Sequence, residues 1–261
     1  MKLHEVFHQA KSENRAALIG YMPAGFPTKE GSQLLIAAMI DGGVNIVEVG
    51  FPYSDPVMDG PVIQQAAEIA LRNNTSAGDV FDVVASSSVP TLVMSYWNPI
   101  ERYGVARFAS DLSRASGVGV ITPDLTVEES EDWITATTAN SLGRVYVVAP
   151  SSSDARLANV TSACSGFVYA ASLMGVTGAR TSISSAASEL VARVRRVTDL
   201  PVAVGLGVSN AAQAAEVAKY ADGVIVGSAF IKLALEADSI DKAKLAVRSL
   251  AQELAAGVRR S

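Results

Sequence analysis

The chain holds one cysteine, Cys164, and two histidines, His4 and His8, in 261 residues. A lone thiol leaves no internal disulfide and no CxxC pair for metal or redox work. Cys164 reads as a small apolar residue of core or surface. The histidines stand i, i+4 in a first helix whose opening residues, Met1 to Phe7, read as amphipathic rather than as a signal peptide. No third ligand lies near them in sequence, so surface or packing roles are expected. With both off the active face, histidine bases, Ser-His-Asp triads and histidine metal sites are lost together. Acid–base work then falls to carboxylates, tyrosine or lysine. Charge is scarce as well, at 18% of residues and a net −5. The only dense basic pairs, Arg195-Arg196 and Arg259-Arg260, read as solvated helix ends, and the balance argues against a nucleic-acid partner. No apolar run approaches the roughly 20 residues of a membrane span, so a cytoplasmic protein is expected.

What is present is an alternation of short β-branched runs and longer helical stretches. Strands are expected at Ala17–Met22, Asn45–Val49, Thr91–Ser95, Gly119–Thr122, Val145–Val148, Phe167–Ala171, Val202–Val204 and Gly223–Val226. Most are continuously apolar, as strands covered on both faces of a parallel sheet are. Helices are expected from Thr28 or Lys29 to the Gly42-Gly43 pair, and over Val62–Leu71, Val105–Ala115, Glu128–Thr138, Ile183–Val197, Asn210–Tyr220 and Ser239–Gly257, with Ser209-Asn210 as an N-cap signal. About eight strand–helix units predict one (β/α)₈ TIM barrel over residues 1–261 with an extra N-terminal helix. A doubly wound open sheet is the alternative, but no dinucleotide fingerprint is present: Gly205-Leu206-Gly207 runs on to Asn210 where a third glycine belongs.

Two features carry chemistry. Glu48 and Asp59 bracket the run from Ile46 to Pro61, the first on a buried strand and the second in the loop after it. Such a pair can move protons around a bound substrate. Glu48 has an alternative as a hydrogen-bonded core acid, and Asp59, before Gly60-Pro61, as a turn former. The second feature is glycine. Gly175–Gly178, Gly205–Ser209 and Gly227-Ser228 follow the sixth, seventh and eighth expected strands. Loops after strands seven and eight of a barrel are its common phosphate site, where backbone N–H groups and a helix N-terminus meet the anion. Ser228 is placed to donate to a phosphate oxygen, and the 175–178 segment to cover the ligand as a lid. Asp124, after the fourth strand, is either a cap or a site-facing residue. A sugar-phosphate isomerase and a non-catalytic scaffold are competing readings; the first commonly needs metal ligands or a lysine at the barrel mouth, which the strand ends lack.

Beyond these features, the chain resembles the α subunit family of tryptophan synthase along nearly its whole length. The likeness rests on V-E-V-G-F-P-Y-S-D-P-V-M-D-G-P (47–61), P-D-L-T-V-E-E-S (123–130), Y-A-A-S-L-M-G-V-T-G-A-R (169–180), G-L-G-V-S (205–209) and V-G-S-A (226–229). The resemblance implies a lyase of tryptophan biosynthesis that cleaves indole-3-glycerol phosphate to indole and glyceraldehyde 3-phosphate. It implies an α₂β₂ heterotetramer, with pyridoxal phosphate in the β partner and no cofactor in this chain. Glu48 and Asp59 fall on the family's catalytic acids, Tyr169 and Thr177 on supporting positions, and Gly178, Gly207, Gly227 and Ser228 on phosphate-binding ones. Tyr21, Met94 and Tyr96 fall in the indole pocket, and the loop Tyr53–Gly60 on the segment facing the β subunit. Two positions depart from the pattern: Tyr21 replaces an apolar aromatic, and Leu173 stands where some members carry a lid arginine.

Overall fold

The computed structural model describes residues 2–171, 180–205 and 207–260. Among these, nine strands form one parallel sheet: β1 (Ala17–Pro23), β2 (Ile46–Gly50), β3 (Thr91–Met94), β4 (Gly119–Ile121), β5 (Gly143–Val145), β6 (Val147–Val148), β7 (Val168–Ala171), β8 (Val202–Gly205) and β9 (Gly223–Val226). The order is β5-β4-β3-β2-β1-β9-β8-β7-β6. Its two ends, β5 and β6, are consecutive in the chain and separated only by Tyr146. β5 pairs with β4 at Ile121↔Val145, β6 pairs with β7 at Val147↔Tyr169, and the Tyr169 N–H donates to the Tyr146 carbonyl at 3.3 Å. The ring therefore closes through one split stave, giving the (β/α)₈ barrel predicted from the sequence. The expected fifth strand, Val145–Val148, begins two residues earlier and is interrupted at Tyr146.

Twelve α-helices are described: α1 (Leu3–Ser12), α2 (Lys29–Asp41), α3 (Pro61–Arg72), α4 (Ala77–Ala85), α5 (Trp97–Tyr103), α6 (Val105–Arg114), α7 (Glu131–Ala139), α8 (Asp154–Ala163), α9 (Arg180–Val194), α10 (Ala211–Ala218), α11 (Ser228–Glu236) and α12 (Ile240–Gly257). The N-caps explain several starts. Thr28 Oγ1 accepts the Gly31 N–H at 2.9 Å, Asn210 Oδ1 accepts the Gln213 N–H at 3.0 Å, and Pro61 opens α3 where its missing N–H costs nothing. The helix expected from Glu128 starts later: residues Val127–Glu129 form a 3₁₀ turn, and α7 begins at Glu131. α4, α5, α8 and α11 are not among the helices expected from the sequence. They run to seven to ten residues. The Ser76–Asp79 capping box is nevertheless a readable signal for α4.

Successive side chains of a strand face opposite ways, and the core divides accordingly. Ala17, Ile19, Ile46, Leu92, Ile121, Val145, Phe167, Ala203 and Ile225 fill the barrel's lower interior. Leu18, Met22, Val47, Val49, Val93 and Val120 face outward into the helical layer. α1 closes the barrel floor. Its Leu3, Val6, Phe7 and Ala10, spaced i, i+3, i+4, i+7, pack into the interior cluster, and the Phe7 ring sits 5.7 Å from that of Phe167. His4 and His8 are exposed on the same helix, at the end away from the strand C-termini.

Phe7→Ala is expected to lower unfolding free energy by about 3–5 kcal/mol, the usual effect of emptying a buried aromatic site. Urea denaturation followed by circular dichroism measures it; an unchanged midpoint would mean that α1 does not brace the barrel.

Candidate active site

β2 reads Ile-Val-Glu-Val-Gly, and alternation that turns Val47 and Val49 outward turns Ile46 and Glu48 inward. Ile46 belongs to the apolar floor. Glu48 is the next inward residue towards the strand C-termini, only 1% exposed, and among the described residues neither carboxyl oxygen has a hydrogen-bond partner. Burial without compensation disfavours the charged form, and it pushes the Glu48 carboxyl up to about 8. Glu48 is thus held largely as the neutral acid at physiological pH.

Asp59 comes from the loop between β2 and α3. It is half-buried, and burial lifts its carboxyl to about 6, opposed by a hydrogen bond from the Tyr96 side chain. At neutral pH it is mostly ionised. The loop is fixed at several points. The Met58 N–H donates to Tyr96 Oη at 2.9 Å, the Asp59 N–H to the Pro56 carbonyl at 3.0 Å, and Gln64 Nε2 to the Asp59 carbonyl at 2.9 Å. The Tyr53 ring lies 5.3 Å from that of Tyr96.

Tyr21 and Tyr169 complete the compartment. Burial raises both phenols well above their ordinary value. The charges of Asp59 and Glu48 add to this at Tyr21, as do those of Glu48 and then Asp59 at Tyr169. Both acids therefore act on both rings, which brings Glu48, Asp59, Tyr21 and Tyr169 into one space. Strand register agrees, since Tyr21 pairs with Glu48 across β1 and β2. Two strand-end glycines make room for these rings. A Cβ on Gly50 would lie 2.2 Å from Tyr21 Oη, and one on Gly205 would lie 2.6 Å from Tyr169 Oη. Sequence reasoning misses this purpose of both glycines; the available signal is a glycine closing each strand.

The phosphate-site candidates lie at the same end of the barrel. Gly207 has φ +66°, is exposed, and follows β8. Gly227 caps α11, whose first residue is Ser228, and a Cβ on Gly227 would meet that of Tyr21 at 3.3 Å. The N-terminus of α11 thus opens beside the ring of Tyr21, where its unpaired N–H groups favour an anion. Met94 ends β3, half-buried, paired with Gly50. Thr177, Gly178 and Leu173 lie outside the described residues. Asp124 resolves as a cap: its two carboxyl oxygens accept the Trp97 N–H at 2.9 and 3.1 Å, at the start of α5. Cys164 is buried, which pushes its thiol up to about 11, as suits an inert core residue. Among the described residues no three His, Cys, Asp or Glu side chains cluster as a metal site.

The family model described as "Tryptophan synthase alpha chain" matches residues 7–259. The tryptophan synthase alpha chain of Streptomyces avermitilis is 58% identical over 261 residues, covering 98% of this chain and 94% of that protein. That of Thermobifida fusca is 58% identical, with 96% and 95% covered. The structure of Mycobacterium tuberculosis tryptophan synthase in space group F222 superposes with a TM-score of 0.92 at 50% identity, covering 99% of this chain and 98% of that one. At 29% identity, the tryptophan synthase subunit alpha of Legionella pneumophila still gives 0.90. With a buried neutral acid and a mostly ionised one at the mouth of the same barrel, the chain belongs to the tryptophan synthase alpha chain family.

Proposed function

We propose that Glu48 is the general acid and Asp59 the ionised partner in the family's reaction, the retro-aldol cleavage of indole-3-glycerol phosphate to indole and glyceraldehyde 3-phosphate. The observation that carries these roles is the Glu48 carboxyl, buried without a hydrogen-bond partner among the described residues and raised to about 8 in the compartment that Asp59 enters. A neutral carboxyl can protonate C3 of the indole ring, which leaves an indolenine-like cation. Asp59, as a carboxylate, accepts a hydrogen bond from the ring N–H and stabilises that charge. The C3 to glycerol-chain bond then breaks, its electrons return to the ring, and the adjacent hydroxyl loses its proton to become the aldehyde. The Glu48 carboxylate collects that proton and is ready again.

Tyr21, Met94 and Tyr96 form the walls against the indole, and Tyr169 supports Glu48. The phosphate binds at Gly207, Gly227 and Ser228, with Gly178 and Thr177 acting from the segment after β7. One positioned acid or base contributes about 10²–10⁴-fold; the phosphate anchor supplies orientation besides. The reaction needs no cofactor in this chain. Its partner is a tryptophan synthase β subunit, which holds the pyridoxal phosphate, in an α₂β₂ assembly. The surface assigned to that partner is the loop carrying Asp59, where Val57 and Met58 are 82% and 54% exposed. Exposed apolar side chains beside a site suit a protein interface. We treat residues 1–261 as one domain acting in the cytoplasm; among the described residues no helix is long and apolar enough to cross a membrane.

Glu48→Gln is expected to lower kcat for indole release by about 10³-fold or more while a non-cleavable indolyl alkyl phosphate still binds. Near-normal turnover would remove Glu48 from the mechanism. Asp59→Asn is expected to lose more in rate than in affinity for the same analogue; an equal collapse of both would make the residue structural. Stability should follow pH as well. Because the folded Glu48 keeps its proton up to about 8, against an ordinary value of 4.5, the folded state binds more protons than the unfolded chain between those values. Stability is therefore lost as pH rises through that window. Glu48→Gln removes this loss, so the Tm advantage of the variant should be larger at pH 8 than at pH 5. A constant difference across that range contradicts the raised carboxyl.

A further inference from the structure

The Tyr96 hydroxyl is placed to do more than line a wall. Tyr96 follows β3, is 6% exposed, and its oxygen accepts the Met58 N–H at 2.9 Å. The next residue along the loop is Asp59, whose carboxyl the phenol holds down as a hydrogen-bond donor while burial raises it. The hydroxyl thus spends a lone pair on the loop backbone and keeps its proton for the acid one residue further on. The ring itself is held by Tyr53, 5.3 Å away. Burial, and then the charge of Asp59, raise the phenol well above its ordinary value, so its proton remains available to donate. No other side chain carries a hydrogen bond from this loop's backbone N–H groups into the barrel mouth among the described residues.

We propose that Tyr96 is a positioning residue: its hydroxyl latches the loop at Met58 and aims the Asp59 carboxylate, so that seating the loop and presenting the second acid are a single event. The inference rests on Asp59 serving the cleavage, as proposed above. The groups that bear on Asp59 and Tyr96 include Tyr21 from β1, Glu48 from β2, Tyr169 from β7 and Asp124 from the loop after β4. The hydrogen bond that lowers the Asp59 carboxyl comes from Tyr96 and not from any of these four.

Tyr96→Phe removes only the hydroxyl and leaves the ring. Because a hydrogen bond to a charged group is commonly worth about one pKa unit or slightly more, the acid limb of kcat/KM for cleavage is expected to move up by about one pH unit. kcat is expected to fall about tenfold with KM changing far less. In the Asp59→Asn background the same substitution should add almost nothing. The Met58 amide should exchange with solvent at least tenfold faster, while the Gln64 amide, bonded to the Gly60 carbonyl at 3.0 Å, keeps its rate. A simple wall residue would raise KM, leave the pH profile in place and act additively with Asp59→Asn. An unshifted acid limb together with an unchanged Met58 exchange rate overturns the proposal. If Asp59→Asn itself cleaves normally, the role of Asp59 fails instead, and the Met58 exchange rate alone then decides whether Tyr96 latches the loop.

Discussion

The chemistry of this barrel depends on a carboxyl placed where water does not reach it. Glu48 stands in the barrel directly above the apolar layer that includes Ile46, on a strand whose five residues are all buried. A buried acid of this kind is costly unless it stays neutral or is paired, and among the described residues it has no pair. The fold accepts that cost at one point and compensates through the rest of the interior. From α1 to the layer of Ile19, Ile46, Leu92 and Ile225, the cluster is apolar. The cost is also the function: the same desolvation that raises the carboxyl to about 8 supplies a proton donor at neutral pH.

The acids are divided between a strand and a loop. Glu48, Tyr21 and Tyr169 sit on paired strands, with register fixed by neighbours on both sides. Asp59 arrives on a loop held by several hydrogen bonds, one of which the Tyr96 hydroxyl accepts from the Met58 N–H. Asp59 therefore shares its loop with the exposed Val57 and Met58, while Glu48 does not. The split stave at Tyr146 lies elsewhere in the ring, between β4 and β7, so ring closure does not perturb the strand that carries Glu48.

Much of this architecture is legible in the order of residues alone. Eight short, mostly apolar runs point to the barrel because each parallel strand is covered on both faces. Glu48 stands out because a charge in such a run has few reasons to be there. The short helices are not legible: α5 and α8 are fixed by packing and by caps such as Ser153 and Asp124 rather than by periodicity. Asp124 is ambiguous in sequence between cap and site, since the choice depends on Trp97, which is distant along the chain. The environment of Asp59 is equally hidden. Its bond from Tyr96 joins two chain segments that no local pattern links, and the tyrosine rings seated over Gly50 and Gly205 are tertiary contacts of the same kind.

The most direct test is the titration of Glu48 itself in the folded protein, by carbon-13 NMR of a selectively labelled side-chain carboxyl, with Glu48→Gln used to assign the signal. The account predicts a midpoint near 8. A midpoint close to the ordinary 4.5 would mean that Glu48 is ionised at neutral pH and cannot be the proton donor.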